Sequence, residues 1–402
     1  MAFLTLMLAV LFWLSVFLII YAYIGYPVLI ALIAKLIPFR QGRASGVSDP
    51  SVTLLITAYN EEAVIEKKIE NSLMLNYPPD RLQIIVAADG SSDRTAEIVG
   101  KFHDRGVELN HTSLRNGKLA AINRAMVQAR GDIVVFSDAN NIYDPDAVRK
   151  LITPFSDPSV GASTGAKLII QDGGDLSGAE GIYWKYESWI KTNETILGTC
   201  TSSVGEILAI RRELYQPPPS HIINDDYYIV LDLIKRGFRV FYVADARSFE
   251  HISATVRDEM VRRTRMNTGK YQAIFMSYGL LPFNRPMVLW QIVSHKYFRA
   301  LLPFSFIGVL LANIFLVLLQ RDTSISLLRM SPPYAWTFLS MQLFFYLLAT
   351  LGNLVKLPGP LGKVLYLPTY LVNSNIAILR GFYGFISGKQ TNIWERVRRG
   401  NV

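Results

Sequence analysis

Cysteine is almost absent: Cys200 stands alone in 402 residues. A single thiol excludes an intrachain disulfide framework and any zinc or iron–sulfur centre built on several cysteines, and in Gly198-Thr199-Cys200 it reads as a small buried residue. Charge is scarce too. Asp, Glu, Lys and Arg make up 18% of the chain, against about 25% in ordinary soluble domains. Histidine is rare, and His103, His111, His221, His251 and His295 show no metal-ligand spacing. Acidic residues are in deficit: 32 Asp and Glu face 41 Lys and Arg, a formal +9. Such a surplus suits nucleic acid, an anionic membrane face or a phosphorylated substrate. The basic residues gather beside apolar stretches instead of along one soluble face, which argues against a nucleic-acid partner. Half of the residues are hydrophobic, enough to bury a large core and to exclude disorder as the main state.

Charge is missing altogether from Met1 to Ala34. A signal peptide has a basic start and an apolar stretch of about 7–15 residues. This segment has neither, so residues 1–37 are expected to form a retained transmembrane anchor, with Ala2–Ile24 meeting the requirement of about 20 apolar residues. Gly25-Tyr26-Pro27 is expected to bend it. Lys35, Arg40 and Arg43 follow and place the exit on the cytoplasmic side. Residues 301–320 and 333–356 are two further expected spans. Residues 364–386 carry Asn373, Asn375 and Arg380, which are costly in lipid unless they face a cavity or a partner. That piece reads as a transmembrane helix along a polar path or as a re-entrant segment. Residues 283–299 mix Trp290, Tyr297 and Phe298 with Arg285, His295, Lys296 and Arg299, the composition of an interfacial helix. The tail 387–402 is basic and favours a cytoplasmic end, whereas four full spans would put it outside. The spans are too few, and show no repeated halves, for a transporter.

Residues 50–280 form the soluble part. Apolar runs at 51–56, 82–88 and 133–137 read as buried strands, and helical spacing recurs at 61–75, 95–102, 118–129 and 227–235. Strands alternating with helices imply an α/β domain with a mainly parallel sheet and helices on both faces. Ligands of such sheets sit at the carboxyl ends of the strands. Each of the three strands is followed there by an acidic, turn-prone loop: Thr57-Ala58-Tyr59-Asn60-Glu61, Asp89-Gly90-Ser91-Ser92-Asp93 and Asp138-Ala139-Asn140. Oxygen ligands on such an edge suit a divalent cation or the hydroxyls of a ribose or sugar. Asp and Asn also serve simply as turn and cap residues. Asn116-Gly117-Lys118 opens a helix and suits an anion. Asn224-Asp225-Asp226 supplies either a carboxylate base or a complement to a helix dipole. Arg262 and Arg265 share a helix face, and grip either a diphosphate or anionic lipid. The aromatic stretch Gly181–Lys191 suits a membrane interface better than a sugar platform.

Taken in order, T-A-Y-N-E (57–61), A-D-G-S-S-D (88–93), N-G-K (116–118), S-D-A-N (137–140), N-D-D (224–226) and R-R-T-R-M (262–266) resemble the motifs of membrane-embedded family 2 glycosyltransferases of the cellulose, hyaluronan and chitin-oligosaccharide synthase group. The resemblance covers nearly the whole chain and implies a GT-A-type domain between transmembrane helices. It assigns donor binding to Thr57, Tyr59, Glu61, Asp89, Lys118 and Asp138, and a Mg2+ or Mn2+ ion to Asp138 and Asn140. Asp226, beside Asp225, matches the general base, with Arg236-Gly237 supporting the register. Arg262, Arg265 and Met266 match the motif that closes over diphosphate and acceptor. The chain departs from the pattern at Thr57 (usually Pro), Asn140 (usually Asp), Asn224-Asp225 (usually Thr-Glu), Arg262 (usually Gln) and Met266 (usually Trp). Loss of that Trp removes a stacking platform and points away from long processive polymerisation.

The resemblance therefore implies inverting transfer from a UDP-sugar to a glycan hydroxyl at the cytoplasmic membrane face, giving a β-linked polysaccharide or oligosaccharide, in contact with membrane lipids. Two alternatives stand beside it: transfer of one sugar to a lipid-linked or short acceptor, and a non-catalytic membrane scaffold.

Overall fold

The computed structural model describes residues 2–37, 49–170, 178–251, 256–276, 278–320, 328, 330, 332–355 and 359–388. Arg40, Arg43 and the basic tail beyond Gly388 lie outside the described residues. The chain opens with α1 (Ala2–Ile20), a π-helical turn (Tyr21–Gly25) and α2 (Tyr26–Leu36). Together they form one apolar helix, Phe3–Leu36. The Gly-Tyr-Pro triplet widens this helix into a π-turn instead of breaking it, a common way for a helix to absorb a proline.

The soluble domain then runs β1 (Val52–Ala58), α3 (Ile65–Leu73), β2 (Leu82–Asp89), α4 (Thr95–Gly100), β3 (Val107–Thr112), α5 (Lys118–Met126), β4 (Ile133–Asp138) and β5 (Asn141–Tyr143). It continues with α6 (Ala147–Ile152), β6 (Val160–Ile170), α7 (Gly178–Ile196), β7 (Leu208–Arg211), α8 (Asp225–Lys235) and β8 (Arg239–His251). The strands form one 8-stranded sheet in the order β3-β2-β1-β4-β7-β6-β8-β5. β3, β2, β1 and β4 are parallel neighbours, β6 and β8 pair parallel, and β7 and β5 are antiparallel to their neighbours. The sheet is mixed but mainly parallel.

Every residue of β1 is buried, as expected of a central parallel strand covered on both faces. Leu54 and Ile56 pack with Ile65, Ile69 and Val86 on one face, while Leu55 packs with Ile85, Ile122 and Val134 on the other. The register places Thr57 of β1 opposite Asp138 of β4, and Ala58 opposite Ala88 of β2. The three acidic loops therefore leave the sheet side by side.

After α9 (Val256–Met276) comes α10 (Pro286–Ile292), a second π-turn (Val293–Tyr297) and α11 (Phe298–Leu319). These last three make one apolar helix, Pro286–Leu319. The separate interfacial helix expected at 283–299 is thus the first part of the same helix as the span expected at 301–320. Its polar residues turn inward: His295 is 1% exposed and bonds Glu194 and Glu187 of α7 at 2.7 and 3.2 Å. Protein carboxylates, not a lipid surface, satisfy the polar face. α12 (Pro332–Leu354) follows. Among the described residues three helices, Phe3–Leu36, Pro286–Leu319 and Pro332–Leu354, are long and apolar enough to cross a membrane. Their outer faces expose Phe3, Leu14, Leu318 and Phe344, as lipid-facing surfaces do.

α13 (Gly359–Ser387) is a single helix of 29 residues, and it is not one of the three helices apolar enough to cross a membrane. Several of its polar groups are partnered: Asn373 and Asn353 exchange amide hydrogen bonds at 2.9 and 3.2 Å, and Asn375 donates to the Tyr23 hydroxyl at 3.2 Å, while Ser374 Oγ and Asn375 Oδ1 are buried without a partner among the described residues. Phe12, Leu316 and Leu339 form the core between the first helix, α11 and α12.

Candidate active site

The loops after β1, β3 and β4, the start of α8 and one face of α9 meet around a cavity of about 1140 Å³. Lys118 is the pivot of its charged end. Its ammonium lies 2.6 Å from Asp138 Oδ1. Burial works against the Lys118 charge, but Asp138, Asp225 and Asp226 outweigh it and raise its pKa. The Asp225 carboxyl is pushed up by burial, opposed by Lys118 and reinforced by Asp226 and Asp138. Arg265 feels the same three aspartates; burial lowers its pKa while they counteract the shift. Four segments far apart in sequence thus bring carboxylates and cations into one hollow.

Local chemistry explains the placement. Asn224 precedes α8 at its N-cap position, and its amide donates to the Met266 carbonyl at 3.0 Å, tying α8 to α9. Asp225 and Asp226 occupy the first turn, where the helix dipole favours negative charge. Ser203 donates to Asp226 Oδ2 at 3.0 Å. Gly205 faces the Asp226 side chain, and a Cβ there would meet Asp226 Cβ at 3.1 Å. Asp89 is 4% exposed and accepts from the Asn116 and Gly117 amides at 3.1 and 2.6 Å. It thereby anchors the loop that delivers Lys118. Gly90 makes this possible: its φ is +62°, and a Cβ would lie 2.7 Å from the Arg115 nitrogen.

The expected site residues divide into wall and support. Tyr59, Glu61, Lys118, Asp138, Asn140, Asp225, Asp226, Arg262, Arg265 and Met266 line the cavity. Thr57 stands behind it, donating to Asp138 Oδ1 at 3.3 Å, and so does Asp89. Tyr59 stacks under the Arg115 guanidinium, 3.9 Å from the ring centre. Arg262 is gripped by Glu259 at 2.8 and 3.0 Å, which turns it into a brace within α9.

For a divalent ion, the donor set is one carboxylate and one amide. Asn140 Oδ1 is buried and has no hydrogen-bond partner among the described residues, as fits an oxygen reserved for a ligand. The described residues include no group of three or more His, Cys, Asp or Glu able to hold a metal. Diphosphate oxygens or waters would have to complete a shell for such an ion.

Sequence reasoning missed a buried ionic cluster behind this loop. Lys167 pairs with Glu206 at 2.7 Å and with Glu250, and Ser248 donates to Glu206 at 2.9 Å. Asn141 bridges Ser248 and Lys68 at 2.7 and 3.0 Å. The cluster fastens β5, β6 and β8 beneath Asp138 and Asn140. Burial takes Lys68 down to about 7. No motif announces these residues, because they come from three strands, a helix and a 3-10 turn with unrelated local patterns.

Residues 53–216 match the family model described as glycosyl transferase family 2. The "Probable glycosyltransferase YdaM" of Bacillus subtilis (strain 168) is 28% identical over 301 residues, covering 69% of this chain and 68% of that protein. The poly-beta-1,6-N-acetyl-D-glucosamine synthase of Staphylococcus aureus (strain COL) is 28% identical over 236 residues, 56% of each chain. The chain thus spans little more than half the length of that synthase. Among solved structures, the mannosyltransferase PcManGT of Pyrobaculum calidifontis, in complex with GDP-Man and Mn2+, has a TM-score of 0.70 at 20% identity, over 94% of this chain and 100% of its own. It shares the fold over nearly the whole chain. Residues 53–216 thus carry a glycosyl transferase family 2 domain, and with its glycosyltransferase relatives the protein is a glycosyltransferase.

Proposed function

We propose that the protein is an inverting transferase that moves a sugar from a nucleoside diphosphate donor, UDP-sugar by the motif resemblance, to an acceptor hydroxyl at the cytoplasmic membrane face. One observation carries this: Lys118, Asp138, Asp225, Asp226 and Arg265 converge on a single cavity. Asp226 removes the proton from the acceptor hydroxyl as that oxygen bonds to the anomeric carbon. The bond from that carbon to the diphosphate breaks, and its electron pair leaves with the diphosphate. Lys118 and Arg265 present fixed positive charge to the leaving group. Asp138 and Asn140 would hold Mg2+ or Mn2+, which supplies further neutralisation of diphosphate charge. Asp225, whose proton affinity is raised by burial, keeps Lys118 and Asp226 in register. Lys35, at the end of the first apolar helix, supports a cytoplasmic domain.

The staphylococcal relative's name supports a β-linked glycan as product. A second acceptor is favoured by the far wall of the cavity, where Ile20, Ile24, Leu367 and Leu371 come from the apolar helices. Aliphatic side chains suit hydrocarbon, and Met266 offers no sugar platform. Incubating the purified chain with UDP- and GDP-sugars and Mn2+, and measuring nucleotide release and product length, tests both readings. One added sugar supports the lipid or short acceptor; a ladder of long products supports the polymer. No nucleotide release from any donor would refute the transferase mechanism.

A further inference from the structure

The cavity has a second basic end that the transfer chemistry leaves unused. Ser203 holds Asp226, and the next residue, Ser202, accepts from Lys296 Nζ at 2.6 Å. Lys296 therefore stands one residue beyond the base, toward the membrane helices. Arg299 lies one helical turn further along and Lys270 approaches from α9; all three line the cavity. Burial first, then the charges of Lys296 and Arg299, brings Lys270 down to about 7.

Counter-charge is short at this end. Glu194 is engaged by the Tyr26 hydroxyl at 2.6 Å, by the Thr201 amide at 2.9 Å and by His295 at 2.7 Å. Glu187 is shared between His295 and Arg299. Neither Lys270 nor Lys296 has a carboxylate within ion-pair reach among the described residues; their bonds go to Asn267 and Ser202. Arg299 keeps Nε and Nη2 buried without a hydrogen-bond partner among the described residues. Orphaned guanidinium donors and unneutralised ammonium groups in a partly dry cavity are costly unless an anion joins them. Beyond them the wall turns aliphatic at Ile20, Ile24, Leu367 and Leu371. Carboxylates, cations and aliphatic side chains, with the aromatic Tyr183, Trp184 and Tyr370, thus line one continuous hollow.

We propose that Lys270, Lys296 and Arg299 form an anion subsite for the phosphate group of an amphiphilic acceptor, whose hydrocarbon chain lies along the aliphatic wall and whose hydroxyl reaches Asp226. This rests on the glycosyl-transfer reading of the same cavity. Phosphate is the fitting anion because it accepts from several donors at once, including a guanidinium fork.

The full chain, purified in dodecyl maltoside, is titrated calorimetrically with dioctanoyl phosphatidic acid, with dioctanoylglycerol and with glycerol 3-phosphate. Phosphatidic acid should bind roughly tenfold or more tighter than dioctanoylglycerol, in line with charge-assisted hydrogen bonds. Lys270→Met and Lys296→Met should each weaken phosphatidic acid by about tenfold and leave dioctanoylglycerol unchanged, while Lys270→Arg restores binding. Glycerol 3-phosphate binding as tightly as the lipid would support the anion subsite but assign it to a soluble phosphate, against the lipid acceptor. Equal affinity for phosphatidic acid and dioctanoylglycerol, or lipid affinity unchanged in both methionine variants, would overturn the subsite. Titrating UDP with Mn2+ into the same samples separates the two failures. Lost nucleotide binding with retained phosphatidic acid binding refutes the transferase reading, and the reverse refutes the subsite alone.

Discussion

The two ends of the cavity solve opposite electrostatic problems. At the sheet edge, Asp138, Asp225 and Asp226 are gathered around Lys118 and Arg265, so each charge has an opposite neighbour. At the membrane end, Lys270, Lys296 and Arg299 outnumber the carboxylates that are free to answer them. The first arrangement is near balance, three carboxylates against two cations, and suits a metal–diphosphate pair of small net charge. The second is unbalanced and calls for an anion. A site that must bind, react and release works with balanced charge, whereas a holding site gains specificity from a deficit.

Breaking the balanced end should give the largest effect. Asp226→Asn should lower nucleotide release by about 10²–10⁴-fold while calorimetry shows unchanged UDP binding. Wild-type turnover would remove Asp226 from the base role. Next comes the joint between the two ends. Arg299 and His295 hold the Glu187 carboxyl well below the usual range against the effect of burial. Glu187→Gln leaves Arg299 uncompensated and should cost about 3–5 kcal/mol of stability, read as a lower unfolding midpoint in detergent.

Much of the balanced end was legible in the sequence, because β1, β2 and β4 are apolar runs whose loops must emerge on one edge. The strands β6, β7 and β8 were not. β6 mixes Gly161, Ser163, Gly165 and Lys167 with apolar residues, and β8 places Asp245, Arg247 and Glu250 inside a strand. Lys167 and Glu250 answer each other across the sheet while Arg247 pairs with Asp245 along β8, a pattern that local periodicity does not reveal. The membrane end was misread for a related reason. His295, Lys296 and Arg299 look interfacial by composition, yet carboxylates of α7 turn His295 and Arg299 inward and Lys296 donates to Ser202. Lys270 carries no local signal at all.

A smaller effect sharpens the contrast between wall and support. Asp89→Ala releases the Asn116 and Gly117 amides and should weaken donor binding by about 1.5–3 kcal/mol. The rise should appear in KM for the sugar nucleotide, since Lys118 is misplaced; an unchanged KM would mean that the loop holds itself. The smallest concerns Lys68. Its pKa falls from 10.5 to about 7 on folding, so between those values the unfolded chain carries a proton that the folded chain lacks. Stability from this group therefore rises with pH across that window, by about 1.4 kcal/mol per unit, and levels off below 7 where both states are protonated. Lys68→Met should flatten the slope between pH 7.5 and 9 in denaturant melts, and an unchanged slope would place the proton elsewhere.

The most direct test is calorimetric titration of UDP into the full chain with and without Mn2+, repeated for Asp138→Asn. Binding that requires the metal and disappears in the variant is the expected result. UDP binding of equal strength in all three conditions, or none in any, would contradict a nucleotide diphosphate held among these carboxylates.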